Sequence, residues 1–353
     1  MFDLPSIELD NISAPPKPPR PLLEAVPGEP DNYILRIDNS TLEKTQTCPR
    51  SAQYYCVNRR ERQGGAALIF GGAVHEFLEH CYRTDFSMIN VAAGINIAQA
   101  HLATVPLRPN DHRDPTYLTH VCQLYASTYC PDGALDIKPL VHDGTPAVEI
   151  PFSLTLGEIE VNSEIKYTRY EMLRGDEERK DSPLLYIKKL YILWSGKVDL
   201  LCENQGEPVI SDHKTTSIEG QNFYEQFRLS QPVHGYVWAA RRIFDLPINK
   251  FLLNAIFLRK LTKTGKGVTF DRRTYFMNEF HMNEWERDVM REIENFVHSL
   301  STGYFPKAPV WCMGKYGACP YHDVCTLPDD RQRAMLLNSD SFVNVTWTPL
   351  EKS

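Results

Sequence analysis

Apolar residues recur at three- and four-residue spacing after Gly71-Gly72, where Val74, Phe77, Leu78 and Cys81 share one face of a predicted helix. An earlier helix is predicted from Ser40 or Thr41, because Ser40-Thr41-Leu42-Glu43 resembles a capping box, and it runs through Cys48, Ser51 and Tyr54. Residues 91–130 also read as helical. Residues 147–156 alternate as a strand does, and a charged stretch over 174–181 predicts a loop. Strands are then expected over 185–193, GKVDLLCE and PVISDHKTT, a helix over 222–244, a strand over 251–258 and a long helix over 282–300. No segment repeats. Helices, then a run of strands, then helices predict an α/β fold with a central mixed β-sheet flanked by helices.

Residues 1–32 hold eight of the 25 prolines and read as a disordered, proline-rich tail. A single folded domain is expected over 33–327, followed by a C-terminal tail over 328–353. The chain carries a formal net charge of −7, of which the six acids and two bases of residues 1–32 account for −4. The acidic total is therefore a poor guide to partners. Arg50, Arg59, Arg60 and Arg62 form one basic cluster, and Arg259, Lys260, Lys263, Lys266, Arg272 and Arg273 another, each a pointer to phosphate contacts. With 42% hydrophobic residues the chain can bury a core, and no apolar run approaches the roughly 20 residues of a membrane span. Residues 1–10 lack the pattern of a signal peptide, so a cytoplasmic protein with reduced thiols and no membrane partner is expected. Its nine cysteines then call for metal ligation or burial.

The strand pair predicted over GKVDLLCENQGEPVISDHKTT puts charge where strands favour apolar residues. Asp212 and Lys214 project from one face and His213 from the other. If the hairpin turns on Gln205-Gly206, Asp199 lies opposite Asp212, two carboxylates that repel unless a divalent cation binds between them. Carboxylates and carbonyls suit Mg²⁺ or Mn²⁺, and Lys214 is placed to act on an attacking water or on phosphate charge. His75 and His80 are five residues apart and cannot form the paired ligands of an HExxH helix, and 263–267 lacks a phosphate-binding loop.

These residues resemble the RecB-like branch of the PD-(D/E)XK nuclease superfamily, which includes CRISPR-associated exonucleases. Gly196-Lys197-Val198-Asp199, Asp212-His213-Lys214 and Gly71-Gly72-Ala73-Val74-His75 match its patterns in order. The resemblance implies His75, Asp199, Asp212 and the carbonyl of His213 as metal ligands and Lys214 as the catalytic lysine. It also implies Gln231 and Tyr236 as a Gln/Tyr pair that positions DNA, and it matches Glu149 weakly to an acidic strand position. Leu42 with Cys48-Pro49-Arg50, together with Cys312, Cys319 and Cys325, resembles the family's iron-sulfur set, which implies a 4Fe-4S cluster stapling the two ends of the domain. Zinc on the same four cysteines is the alternative. Cys56, Cys81, Cys122, Cys130 and Cys202 read as buried core.

The expected function is therefore a Mg²⁺- or Mn²⁺-dependent DNA nuclease, an exonuclease on single strands or duplex ends. It would serve recombination or repair, phage DNA metabolism (in the host cytoplasm) or CRISPR-type processing, with recombination or adaptation proteins as partners. A catalytically silent nucleic-acid-binding or scaffolding protein, or a zinc-stapled protein without a DNA role, is the alternative.

Overall fold

The computed structural model describes residues 22–62, 65–104, 111–168, 184–259, 267–314 and 317–345. Its main strands are β1 (Leu23–Ala25), β2 (Asn32–Ile37), β3 (Val148–Thr168), β4 (Leu184–Asn204), β5 (Glu207–Thr216), β6 (Lys250–Phe257) and β7 (Thr269–Phe276). The main helices are α1 (Asn39–Thr47), α2 (Ala66–Arg83), α3 (Met88–Leu102), α4 (Pro115–Tyr129), α5 (Gln231–Phe244) and α6 (Glu279–Thr302). The strands form one mixed sheet in the order β1-β2-β4-β5-β6-β7, with β3 running antiparallel along β4. β2 is parallel to β4 and β5 to β6, the second pair being joined across one face by α5.

The central strand β6 reads KFLLNAIF and is buried from Phe251 to Phe257, as a strand covered on both faces must be. On one face lies a core that includes Trp194, Trp238 and Trp285, packed by α1, α5 and α6. On the other, Phe70, Phe77 and Tyr125 from α2 and α4 cover Leu252 and Ile256. The predicted helix-flanked mixed sheet is what forms.

Several boundaries move. Residues 185–204, predicted as two strands, are one, because Gly196 does not turn the chain. It faces Phe152 on β3, and a Cβ there would lie 2.8 Å from the Phe152 ring. The missing side chain makes room for an aromatic ring across the strands. The 222–244 helix is two, Gln221–Glu225 and α5. β7 carries too many polar residues to show in the apolar pattern. The fold also begins before residue 33: Leu22 and Leu23 are buried, and β1 pairs with β2. Residues 328–345 are likewise no mere tail, since Leu337, Phe342 and Val345 are buried and Phe342–Asn344 pairs with Arg60–Arg62. The predicted loop over 174–181 and residues 1–21 lie outside the described residues. Among the described residues no helix is long and apolar enough to cross a membrane.

Candidate active site

Gln205 and Gly206 both take positive φ, 56° and 81°, so β4 and β5 meet in a two-residue turn whose twist suits a hairpin. The register follows the expected arithmetic from Asn204↔Glu207 to Leu200↔Ser211. Pairing stops there, one step before Asp199 and Asp212. From that point β5 follows β6, while β2 accompanies β4 only up to Trp194. The sheet thus forks around residues 195–199 of β4, and a cleft of about 930 Å³ opens at the fork, lined by His75, Glu149, Lys197, Asp199, Lys214 and Tyr236 among others.

Where the strands part, Asp199 Oδ2 accepts the backbone N–H of His213 at 3.1 Å. α2 brings His75 Nδ1 to 3.6 Å from the same carboxylate. β3 adds Glu149, whose register position lies opposite Asp199 and whose φ of 52° is left-handed, an uncommon conformation for this residue type. His75, Glu149 and Asp199 can each bring a ligand atom within 4.8 Å of the others. Asp212 is 2% exposed and lies beside Lys214, whose Nζ is 2.6 and 2.9 Å from its two oxygens. The ring of His213 is committed elsewhere: it stacks on Tyr82 and its Nδ1 accepts from Asn254 Nδ2 at 2.7 Å, which leaves its backbone facing the site.

Tyr236 faces Asp212 and Lys214 from α5 and is hydrogen-bonded to Asn39. Gln231 is not brought to the cleft. It opens α5, and its carbonyl accepts the indole N–H of Trp285 at 3.1 Å. Glu149, matched only weakly in sequence, stands nearer the centre than expected. Lys197 was not foreseen as a site residue. Its ammonium is 2.6 Å from Glu149 Oε2.

Crowding of these acids shows in their protonation. Burial and the neighbouring Asp199 push Glu149 up, with the Lys197 ammonium 2.6 Å away opposing. Burial raises Asp212 to about 6, with Lys214 opposing and Asp199 adding to the rise. Burial also disfavours charge on Asp199, but His75, Lys214 and the backbone N–H of His213 outweigh it and hold that carboxyl below its usual value. Burial works against the Lys214 cation, yet Asp212 and Asp199 keep it protonated well above its ordinary range. His213 is pushed down to about 3 by burial and stays neutral. A cation entering this site must displace the proton of Asp212 and draw Glu149 away from Lys197. Mn²⁺ affinity of the metal-free protein is therefore expected to rise through about pH 6, with proton release. Calorimetric titration in buffers of different ionisation enthalpy measures both.

Helix α2 reaches the site because Gly71 lets it approach β5. A Cβ on Gly71 would fall 2.7 Å from Thr215 Oγ1, a β-branched side chain with little freedom to yield. Gly71→Ala is expected to cost about 1–3 kcal/mol through that overlap and to shift His75. In thermal melts, Gly71→Ala/Thr215→Ala should be the more stable of the two variants.

The described members of the basic clusters have partners within the fold. Arg272 bonds Asn254 and Tyr125, pairs with Asp136 and lies 3.6 Å above the Tyr129 ring. Arg259 pairs with Glu219, and Arg273 with Asp271. Lys260, Lys263 and Lys266 lie outside the described residues. Arg59 is buried, Arg50 donates to the Phe305 carbonyl, Arg60 to Asn338, and Arg62 pairs with Asp323.

Those arginine contacts bring the C-terminal segment onto the end of α1. Cys48 follows α1, and its sulfur accepts the Ala308 N–H at 3.4 Å. The Cys319 N–H donates to the Cys312 carbonyl at 2.8 Å. Burial raises the Cys325 thiol, the nearby Tyr54 hydroxyl and Lys307 ammonium oppose this, and Cys48 and Cys319 are near enough to add to the rise. Cys56, Cys81, Cys122, Cys130 and Cys202 are buried.

His75, Glu149 and Asp199, with Lys214 paired to Asp212 beside them, form a candidate divalent-cation site at the fork. A family model described as the PD-(D/E)XK nuclease superfamily matches residues 39–326, and the chain belongs to that superfamily. Among solved structures, it is similar to a candidate exonuclease from Eubacterium rectale, at 10% identity and a TM-score of 0.45, over 86% of this chain and 93% of that one. A search of curated proteins finds no match.

Proposed function

We propose that this nuclease is a RecB-like, Mg²⁺- or Mn²⁺-dependent deoxyribonuclease, an exonuclease, with a 4Fe-4S cluster on Cys48, Cys312, Cys319 and Cys325. The observation that carries the activity is the convergence of Glu149, Asp199, Asp212, His75 and Lys214 at the fork of the sheet. Two buried acids, each raised by burial and by the charge of Asp199, fit a divalent cation, which would offset that repulsion. His75, Asp199, Asp212 and the His213 carbonyl would hold it by family resemblance, and Glu149 by its position. When bound, such an ion supplies Lewis acidity toward the phosphate and a lowered pKa to water.

The chain's own groups do the rest. Asp212 fixes the Lys214 ammonium at the cleft wall, and because that ammonium stays charged it acts by orienting water and neutralising phosphate charge, not by removing a proton. Asp199 is held ionised and anchored by the His213 N–H, so it is ready to take a cation at neutral pH. Tyr236 closes the Asp212–Lys214 pair from the side of α5. DNA, as single strands or duplex ends, is the proposed substrate, in recombination, repair, phage or CRISPR-type DNA processing.

For the cluster, the proposed donor set is four cysteines drawn from both ends of the sequence, and an N–H is aimed at Cys48. Donors of this kind stabilise cluster sulfur and thiolate charge. Iron and sulfide analysis of anaerobically purified protein tests it. About four of each per chain is the expected result, and stoichiometric zinc without iron would favour the alternative. Cleavage of end-labelled linear DNA, with closed circular DNA left intact, tests the exonuclease assignment.

A further inference from the structure

Lys197 has no role in the reading above, yet it occupies the centre of the acidic cluster. It lies two residues before Asp199 on β4, on the same face, and diagonal to Glu149 on β3. Its ammonium is 2.6 Å from Glu149 Oε2 and also feels Glu79 and Asp199. The neighbouring acid Glu79 has its own partner, Arg83, at 2.8 Å, so Lys197 is the group that neutralises Glu149. The Lys197 side chain is 32% exposed and borders the cleft, while that of Glu149 is 9% exposed. A cation bound by His75, Glu149 and Asp199 competes for the very carboxylate that Lys197 holds.

We propose that Lys197 is a transferable counter-ion: it pairs with Glu149 while no cation is bound, and it turns to a substrate phosphate once a divalent cation has taken that carboxylate. This rests on the nuclease reading. Two positive charges cannot share one carboxylate without repulsion, and the displaced ammonium has a solvent-facing stem and an open cleft into which to swing. Metal loading thereby creates a phosphate contact in addition to that of the metal itself, so substrate is held firmly only when the site is ready to cut it.

The test is binding of a labelled, phosphorothioate-linked single-stranded oligonucleotide to the full chain, in EDTA and in Ca²⁺. In EDTA, wild type and Lys197→Met are expected to bind within about twofold; in Ca²⁺ the wild type should gain about tenfold more than the variant, the effect of one charge-assisted contact. Glu149→Gln releases Lys197 without metal. It should tighten binding in EDTA and steepen the dependence of log affinity on log salt by about 0.7, the increment for one added phosphate contact on a single strand. In Glu149→Gln/Lys197→Met that gain should vanish.

An equal loss for Lys197→Met in both conditions, no metal-dependent gain in the wild type, or a Glu149→Gln gain that persists in the double variant overturns the proposal. Glu149→Gln keeps Lys197 and decides the matter through its salt slope if Lys197→Met does not fold. Metal-dependent cleavage by the wild type, measured separately, shows whether the nuclease reading stands when the counter-ion transfer does not.

Discussion

Lys214→Met is expected to lower the rate of DNA cleavage by about three orders of magnitude, the scale of losing one preorganised charge at a reacting phosphate. Single-turnover rates measure this, and filter binding should show the oligonucleotide still bound. The expectation follows from the environment of Lys214. Its ammonium is kept charged and is fixed by both oxygens of Asp212, so methionine removes the charge while retaining much of the volume. A second effect is diagnostic. Asp212, already raised to about 6 by burial, loses the cation that opposes that rise and holds its proton more tightly. Any residual activity of the variant should therefore peak at a higher pH than that of the wild type. An unshifted profile would mean that the two residues are not coupled as described.

The second large effect concerns the cysteines. Cys325→Ala and Cys48→Ala are each expected to abolish iron retention and to lower the thermal midpoint by on the order of 10 °C, because metal-site free energy is folding free energy. The structure shows what would come loose. Tyr321 is buried against Tyr54 and donates to the Arg60 carbonyl, and Phe342 stacks on Tyr321, so residues 321–345 are anchored beside Cys325. Cys202→Ala, in the core between β4 and β5, is the control: it should keep its iron. Iron analysis and calorimetric melts of the three variants separate the outcomes.

What could be read from the chain, and what could not, divides along physical lines. The β4–β5 register was legible because it is local: a two-residue turn and a period of two fix it once Gln205-Gly206 is recognised, although the pairing ends at Leu200↔Ser211, one step short of Asp199 and Asp212. His75 was legible through the resemblance of Gly71-Gly72-Ala73-Val74-His75 to the family pattern, since helical spacing alone does not mark a ligand. Glu149 was nearly invisible, because its place beside Asp199 depends on the pairing of β3 with β4, about 50 residues apart in sequence, and on a left-handed backbone that no sequence pattern announces. Arg272 was misread for a related reason. A run of basic residues shows charge but not which faces are covered, and this arginine turns inward to Asn254 and Tyr125. Gln231 lies at the first turn of α5, away from the residues that line the cleft. Residues 328–345 looked like a tail since their few apolar side chains are scattered, and only contact with Arg60–Arg62 and Tyr321 reveals them as part of the core.

The central claim is that the fork of the sheet is a metal-dependent site for DNA hydrolysis. Its most direct test is the cleavage of end-labelled DNA by the purified full chain in Mg²⁺ or Mn²⁺, against the same protein in EDTA and against Asp199→Asn in metal. The account predicts product only for wild type with metal. Cleavage that persists in EDTA, or Asp199→Asn cutting at the wild-type rate, would contradict it.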